Sequence, residues 1–377
     1  MSTVHQLAPL RILFVVGSAD RGGAELQLVR LACGLRARGH KPTVAFLTRG
    51  GPLTDILDEH GVPWSVLGFA GISRSRDTPR SVFGLVRLAT ILGTGRFDVV
   101  HPWLALSIAL SLAPARLLTP RTRRVAAFRG TERDLGWWSP LLARSLRAAD
   151  AITINAAHLL ADVLHSGGSA SRTSLVPNGV ALPERTATPG SSPVLALVVA
   201  NLRQVKGIDV LVGAVGRCGS ALRVEVIGEG TERAALQRLI DDGGLTDQFV
   251  LRGDVPDPSV LLTSAQLLIH PSRAEGTPNA VLEAMAAGLP IIATDVGGTR
   301  AVVEAASAGI VVAPDDPQAL ASAIDTLASD PELRVRLGAN AREGAGEWSW
   351  DRSLDSHELL YRELCALSRS ERRRRCT

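Results

Sequence analysis

The stretch Arg11-Ile-Leu-Phe-Val-Val-Gly17 decides the fold, because a short apolar run of this kind is typical of a buried strand. A turn containing Gly22 and Gly23 follows it, and then a segment with helical periodicity that Gly39 ends. The apolar positions of that segment are spaced i, i+3, i+4 and i+7: Leu28, Leu31, Ala32 and Leu35. A strand, a glycine turn and a helix in this order predict a βα unit of a parallel sheet.

The alternation of apolar runs with helical segments continues in two series. In the first series, strands are predicted at residues 44–48, 97–101, 124–128 and 151–155. A linker at 182–193, rich in Pro, Thr and Ser, precedes the second series. Its strands are predicted at 194–200, 222–228, 249–252, 267–270, 290–294 and 310–312, and its helices include 231–242, 279–287 and 317–329. Two doubly wound α/β domains are therefore expected, with ligands bound in the βα loops that face a cleft between them.

The positive charge of the chain is concentrated in two places, although the net charge is only +4. Thirteen arginines lie between Arg74 and Arg147, against four acidic residues, and Arg369 with residues 372–375 adds a second cluster. This density fits an anionic surface, either phosphate groups or an acidic membrane leaflet, and it also fits a solvated arginine-rich face. No aromatic-studded basic pattern accompanies it, so a nucleic-acid partner is not expected.

The cysteines and the apolar stretches point to a reduced, cytoplasmic chain. The four cysteines have no metal-ligand spacing: Cys33, Cys218, Cys365 and Cys376. No secretory signal pattern is present at the N-terminus. The longest apolar stretch, residues 104–118, contains Pro114 and Arg116 and is too short to cross a bilayer. A location in the cytoplasm, with contact to the inner face of the cell membrane, is the expectation.

The strongest chemical signal is Pro271-Ser-Arg-Ala-Glu275-Gly-Thr-Pro-Asn-Ala-Val-Leu-Glu283-Ala-Met-Ala-Ala-Gly-Leu-Pro290. A loop after a predicted strand carries Glu275, where a carboxylate can accept hydrogen bonds from sugar hydroxyls. Glu283 lies further along, in the helix, where it can hold a ribose diol. Backbone N–H groups at the helix start suit a phosphate; they belong to Gly276, Thr277, Asn279 and Ala280. The alternative is that both glutamates are structural.

With these two glutamates the chain resembles the retaining glycosyltransferases of family 4, which have the GT-B fold and an E-x7-E motif. Further landmarks of that family follow the same order along nearly the whole chain: Gly22-Gly-Ala-Glu25, Val176-Pro-Asn-Gly-Val180, Lys206-Gly207 and Ile291-Ile-Ala-Thr-Asp-Val-Gly-Gly298. The resemblance implies an N-terminal acceptor-side domain (1–181), a nucleotide-sugar-binding domain (182–347), and a final helix with a basic tail (348–377) that returns to the first domain. Within that tail, Trp348, Trp350, Leu354, Leu359, Leu360 and Leu364 fit an amphipathic helix.

On the donor side, the resemblance implies that Glu275 contacts the donor sugar and Glu283 the ribose. Lys206 would neutralise the diphosphate, and the glycines at 22 and 23 would let the backbone approach it. The family's usual arginine is replaced by Asn201, so Arg203 is the candidate for the missing charge. UDP is the commoner donor nucleotide in the family.

On the acceptor side, the sequence departs from the family. Many relatives have a histidine where Arg129 stands, and this arginine can bind a phosphate of the donor or acceptor. His101, at the end of the preceding predicted strand, is the remaining histidine that is a candidate to touch the acceptor; a structural role is its alternative.

The function predicted from these residues is sugar transfer, with retention, from a nucleotide-sugar to a lipid-linked glycan of a cell-surface polysaccharide. No Asp-x-Asp site stands out, so neither a metal nor any other cofactor is expected. Three alternatives stay open: a soluble acceptor, a catalytically silent nucleotide-sugar-binding protein, and another GT-B enzyme such as a sugar-nucleotide epimerase.

Overall fold

The computed structural model describes residues 8–69, 78–130, 138–187, 193–255 and 258–367. The chain divides into two units. Unit 1 comprises Met1–Gly179 together with Trp350–Thr377, and unit 2 comprises Val180–Ser349. These boundaries differ by two residues from 181/182 and 347/348, the predicted ones. Much of the linker 182–193, Arg74, Arg133, Cys376 and the terminal arginines lie outside the described residues.

Unit 1 alternates strands with helices. Its strands are β1 (Arg11–Val16), β2 (Lys41–Phe46), β3 (Trp64–Val66), β4 (Val99–Pro102), β5 (Arg123–Phe128), β6 (Ala151–Ile154) and β7 (Thr173–Leu175). Its helices are α1 (Gly23–Ala37), α2 (Leu53–Glu59), α3 (Thr78–Gly95), α4 (Ala105–Leu118), α5 (Ser139–Ala148) and α6 (Leu159–His165).

Unit 2 repeats the pattern. Its strands are β8 (Val194–Val199), β9 (Leu222–Ile227), β10 (Phe249–Gly253), β11 (Leu267–His270), β12 (Ile291–Thr294) and β13 (Gly309–Val312). Its helices are α7 (Ile208–Val215), α8 (Arg233–Asp242), α9 (Ser259–Leu262), α10 (Asn279–Ala286), α11 (Thr299–Ala305), α12 (Pro317–Ser329) and α13 (Pro331–Gly344). The last helix, α14 (Trp350–Ala366), belongs to unit 1.

The two parallel sheets have the same order over six strands, and the first sheet has β7 as an additional strand at its edge. The first is β3-β2-β1-β4-β5-β6-β7 and the second β10-β9-β8-β11-β12-β13. In each, the order reverses between two central strands, β1 and β4 in unit 1 and β8 and β11 in unit 2. The loops that leave these strands diverge, which opens a crevice at their carboxyl ends. The predicted class, two doubly wound Rossmann-like domains, is confirmed.

Several strands match their predicted ranges because they are central and buried on both faces. Residues 12–16 of β1 are wholly buried, as the apolar run predicted. β2 begins earlier than predicted, at Lys41 instead of Val44, because Lys41 pairs in register with Arg11 at the start of β1. Lys41 and Thr43 at the start of β2 are polar, so a prediction from hydrophobic residues places the start of this strand too late.

Helix α14 packs on unit 1 through one face. Leu354, Tyr361 and Leu364 are buried in the same hydrophobic core as β1 and α1. A Cβ placed on Gly34 of α1 would lie 2.8 Å from the methyl carbons of Leu354, so the two helices are in close contact. Leu359 is 60% exposed. It was wrongly assigned to the apolar stripe, because it lies on the opposite face of the helix from Tyr361.

Candidate active site

Lys206 and Glu275 meet at the carboxyl ends of β8 and β11, where the strand order of unit 2 reverses. Lys206 ends a short 3-10 turn after β8, and Gly207 follows in the left-handed region at φ 63°. A Cβ at Gly207 would lie 2.0 Å from the carbonyl oxygen of Pro271, so a glycine is required where the two loops touch. The sequence motif Lys206-Gly207 thus brings the lysine to the glutamate loop.

One carboxylate oxygen of Glu275 accepts three hydrogen bonds. Its Oε1 lies 2.6 Å from Nζ of Lys206, 2.7 Å from Oγ of Ser272 and 3.0 Å from Nε2 of His270. Because a carboxylate only accepts, Nε2 of His270 must carry a proton. Burial would raise the pKa of Glu275, but the hydrogen bond and charge of His270 and the charge of Lys206 lower it to about 2. Glu275 is therefore an anion held in one position.

Arg273 ties the two loops together. Its guanidinium donates to the carbonyl oxygen of Gln204 at 2.6 Å, to Asp209 at 2.7 and 2.8 Å, and to Asp315 at 2.6 Å. Its backbone N–H also donates to the carbonyl of Val205 at 2.8 Å. These bonds fix the turn that presents Lys206 to Glu275.

A third loop, after β12, closes against the glutamate loop. Gly297 has φ 58°, and a Cβ there would lie 2.0 Å from the carbonyl oxygen of Glu275. The N–H of Gly298 donates to the carbonyl of Gly276 at 2.8 Å. The glycine pair at 297 and 298 therefore lets the backbone approach Glu275 closely, which explains its place in the motif.

The second glutamate lies within α10. Pro278 precedes the helix as its N-cap instead of opening its first turn, and Glu283 follows in the second turn, where it is half-buried. The residues predicted to bind phosphate through their backbone N–H groups lie on both sides of Pro278, with Gly276 and Thr277 before it and Asn279 and Ala280 in the helix. Arg203 and Asn201, on the same loop, are both exposed, and Arg203 has no ion-pair partner among the residues that the structure describes.

In unit 1, the carboxylate of Glu25 lies beside the glycine turn that follows β1. Gly22 is the N-cap of α1 and Gly23 its first residue. A Cβ at Gly22 would lie 2.0 Å from Oε2 of Glu25, so this side chain lies over the helix start. An acidic group near a helix N-terminus is favoured by the helix dipole. The predicted approach of a diphosphate to these glycines requires Glu25 to move.

His101 occupies a different environment from the predicted one. It is completely buried at the end of β4, its Nδ1 lies 2.7 Å from the hydroxyl of Tyr361, and its ring packs near Trp103 and His357. Burial is the main cause that keeps its pKa well below 6.5. The prediction that His101 touches the acceptor does not fit a ring that other side chains cover entirely. The structural alternative fits.

Arg129, the other acceptor-side candidate, directly follows β5 and is 7% exposed. Its guanidinium carbon lies 4.2 Å from the ring centroid of Trp103, and its Nη1 donates to the carbonyl of Val176 at 3.0 Å. Asn178 of the Val176–Val180 motif accepts at 3.4 Å. The motif thus holds the arginine in place.

Sequence reasoning missed three residues that shape the site: His270, Ser272 and Arg273. A histidine as the last residue of a buried strand, five positions before a loop glutamate, is the signal that could have identified the first of them. Ser272 and Arg273 gave no comparable signal, because their roles depend on loops that are distant in sequence.

The comparisons with known proteins agree with this arrangement. Residues 21–183 match the family model described as Glycosyltransferase Family 4, and residues 185–344 match Glycosyl transferases group 1. The chain therefore belongs to the glycosyltransferases that combine these two domains.

Two curated relatives match different shares of the chain. The D-inositol 3-phosphate glycosyltransferase of Xylanimonas cellulosilytica is 26% identical, across 89% of this chain and 90% of that protein. The alpha-D-kanosaminyltransferase of Streptomyces kanamyceticus is 30% identical over 176 residues, 45% of this chain. This chain spans 46% of the kanosaminyltransferase, less than half of its length.

A solved structure matches nearly the whole chain. The crystal structure of Anabaena HepE in complex with UDP and glucose has a TM-score of 0.81 at 21% identity, and covers 95% of this chain and 100% of that one. The likeness confirms the GT-B fold class predicted from the glutamate motif.

Proposed function

We propose that this chain transfers a sugar, with retention, from a nucleotide-sugar bound on unit 2 to an acceptor bound on unit 1. The observation that carries the proposal is the pairing of Lys206 with Glu275 at the point where the strand order of unit 2 reverses. A cation for the leaving phosphate and a fixed carboxylate for sugar hydroxyls stand side by side there. HepE, solved with UDP and glucose, supports a UDP-sugar as donor.

The chemistry follows from the charges. The bond between the anomeric carbon and the diphosphate oxygen breaks, and negative charge grows on the phosphate. Lys206, Arg203 and the N–H groups at the start of α10 stabilise that charge. The acceptor hydroxyl attacks the same face of the sugar, and its proton passes to the leaving phosphate oxygen. Glu275 holds the sugar, and Glu283 holds the ribose.

Release of nucleoside diphosphate tests the proposal. The full chain is incubated with a panel of nucleotide-sugars, with and without candidate acceptors, and the freed diphosphate is measured. Transfer predicts release that rises with acceptor. Binding without release would support the catalytically silent alternative, and an isomerised nucleotide-sugar without release would support an epimerase.

Glu283→Ala provides the matching variant in a binding measurement. Loss of a charge-assisted hydrogen bond of about 1.5–3 kcal/mol predicts roughly tenfold or weaker affinity for the nucleotide-sugar. Glu343→Ala, which removes an exposed glutamate of α13, is the control. Unchanged affinity of Glu283→Ala by calorimetry contradicts the assigned ribose contact.

The acceptor in this proposal is a lipid-linked glycan on an anionic membrane surface. Helix α3 supports this acceptor. Gly84 and Leu88 are buried on one side of the helix. On the other side, four large apolar residues are each 42–57% exposed: Val82, Phe83, Leu85 and Val86. These four residues form the apolar face of α3. The helix contains no acidic residue. A basic helix with apolar residues facing water is typical of one that lies on anionic lipid.

Arg87 locates the apolar face of α3 relative to the sheet. Its guanidinium lies 5.1 Å from the ring centroid of Phe83 and donates to the carbonyl of Val66, the last residue of β3. The face is therefore close to the carboxyl edge of the sheet, the edge at which an acceptor is expected. Among the described residues, no helix is both long and apolar enough to cross a bilayer.

Other arginines of the cluster between Arg74 and Arg147 have structural partners. Arg123 donates to the carbonyls of Cys365 and Leu367 at the C-terminal end of α14, and Arg124 pairs with Asp150 at 2.9 Å. The interpretation of the cluster as one anion-binding face is therefore too broad, and the membrane proposal depends on α3.

Vesicle co-sedimentation tests the membrane contact. The chain is expected to bind anionic vesicles at low salt and to dissociate at high salt. The double variant Phe83→Ser with Val86→Ser should lose binding, whereas Leu239→Ser, which removes an exposed leucine of α8, should keep it. Equal binding to neutral and anionic vesicles, or none at low salt, favours the soluble acceptor instead.

A further inference from the structure

Arg129 is a buried cation whose observed partners are all neutral. They are the Trp103 ring, the carbonyl of Val176, the amide of Asn178 and the ring of His357. Among the described residues, no carboxylate pairs with it, and its buried Nε has no hydrogen-bond acceptor. A buried charge without a counter-ion costs several kcal/mol, so its retention points to an anion that comes from elsewhere.

The neighbouring histidines cannot supply the missing negative charge. His357 donates from Nδ1 to the carbonyl of Ser353 at 2.8 Å, so its Nε2, 3.5 Å from Arg129, is the accepting nitrogen of a neutral ring. Burial and the charge of Arg129 lower the pKa of His357 to about 3. Within the described residues, the cluster around Arg129 therefore carries one positive charge and no negative one.

Arg129 borders a crevice at the carboxyl ends of β4 and β5. The crevice is small and partly open to solvent, and it is lined by Leu104, Ala105, Phe128, Arg129 and Gly130. Ala105 is the first residue of α4, a helix of 14 residues, and no side chain caps its start. The N–H groups of an uncapped first turn favour an anion, as the helix dipole does.

We infer that this crevice binds a phosphate group of the acceptor, with Arg129 as the residue that selects it. The oxygens of a phosphate can accept from the guanidinium of Arg129 and from the first turn of α4 together. The crevice lies at the ends of β4 and β5, and β4 is one of the two strands between which the strand order of unit 1 reverses. The anion site stands on its own geometry, but its assignment to the acceptor rests on the proposed function.

Gly130 offers a matched pair of variants that leave Arg129 in place. A Cβ at Gly130 would meet no heavy atom within 4 Å, so a side chain can be added without displacing a neighbour. Gly130→Asp brings a carboxylate to the crevice, and Gly130→Ala controls for the added carbon. The aspartate should repel a phosphate or replace it as the counter-ion of Arg129.

The probe is inorganic phosphate, titrated by calorimetry into the full chain carrying Lys206→Ala, which removes the cation assigned to the donor diphosphate. Sodium chloride at equal ionic strength is the reference. Saturable binding of phosphate is expected for the Lys206→Ala parent and for the same parent with Gly130→Ala. Adding Gly130→Asp or Arg129→Gln to that parent should weaken phosphate binding at least tenfold. Equal affinity in Gly130→Asp and Gly130→Ala, or no saturable binding in the parent, overturns the site.

Two competitors distinguish the possible sources of the phosphate. Glucose 6-phosphate represents a free sugar phosphate, and farnesyl diphosphate represents a lipid-linked one; the stronger competitor against inorganic phosphate identifies the class. If neither displaces inorganic phosphate, the assignment to an acceptor is wrong. Failure of the proposed function would appear separately, as an absence of nucleoside-diphosphate release from the wild-type chain.

Discussion

Lys206 has two partners in the proposed cycle, Glu275 before the donor binds and the diphosphate afterwards. The ion pair at 2.6 Å neutralises both side chains while the site is empty. When a diphosphate pairs with Lys206 instead, His270 and Ser272 still hold Glu275, because both donate hydrogen bonds to its Oε1. These two residues therefore keep the carboxylate in place through the exchange.

Lys206→Ala is expected to lower turnover more than it weakens donor binding. Charge on the phosphate grows as the bond breaks, so the lysine contributes most in the transition state. Steady-state kinetics at saturating donor, with calorimetry of donor binding, separate the two effects. Lys41→Ala, at the start of β2, is the control. Turnover within about twofold of wild type would make Lys206 a surface lysine.

Glu275→Gln is expected to lower stability in a pH-dependent way. The folded pKa is about 2 and the unfolded value about 4.3, so the carboxylate stabilises the fold above the unfolded pKa, and this stabilisation is lost as pH falls through the folded pKa. The difference of roughly two units corresponds to about 3 kcal/mol at pH 7.

Denaturant unfolding of the wild type and Glu275→Gln at pH 7 and pH 3 checks this prediction. The gap between them should shrink to about half at pH 3, because the unfolded carboxyl is then protonated while the folded one is mostly ionised. Glu343→Gln, an exposed control, should shift stability by no more than about 0.5 kcal/mol at either pH. A gap that does not change with pH contradicts the lowered pKa.

At this scale, the sequence predicted residues whose motif is local and missed those whose partners are remote. Glu275 and Glu283 share one loop and helix, so their spacing alone predicted a common site. Lys206 was predicted by resemblance, and its contact with Glu275 spans 69 positions. The sequence left two roles open for His101, because the helix that covers it follows more than 240 positions later.

Among the helices and strands, α14 shows most clearly that a hydrophobic pattern can assign a residue to the wrong face of a helix. Leucines at 354, 359, 360 and 364 were treated as one stripe, but helical geometry turns Leu359 away from the buried line of Leu354 and Tyr361. Apolar residues are not always buried, so composition alone could not assign the face. β11 and α12, by contrast, begin and end where predicted.

Leu354→Ala and Leu359→Ala test the orientation of this helix. The first removes a side chain packed on Gly34 and should cost about 2–5 kcal/mol, with a Tm lower by several degrees. The second removes an exposed side chain and should change stability by no more than about 0.5 kcal/mol. Thermal unfolding of both variants measures the difference. Similar losses would contradict the packing of α14 on α1.

At the scale of the whole molecule, the same order of six strands occurs in both sheets, and the predicted residues fall at the reversal point in each. Alternation of strands and helices was enough to predict two doubly wound domains. It could not show which loops meet at a reversal point, because that depends on how strands pair across the sheet.

Chelation of metal ions tests whether protein groups alone stabilise the negative charge of the leaving diphosphate. Because Lys206, Arg203 and the start of α10 are assigned to the diphosphate, turnover is expected to be unchanged by an excess of EDTA. Nucleoside-diphosphate release is measured with chelator, and with added Mg²⁺ as the reference. Loss of release with EDTA and recovery on addition of Mg²⁺ would mean that these residues do not suffice.

The position of α14 has a consequence for synthesis. The helix completes the core of unit 1, yet it follows Ser349 in the chain. A ribosome must therefore make all of unit 2 before unit 1 can close, since nascent domains fold as their residues emerge. Until then, the groove that Leu354 and Tyr361 fill is open to water. Unit 2, although second in the sequence, is the first part of this protein able to finish folding.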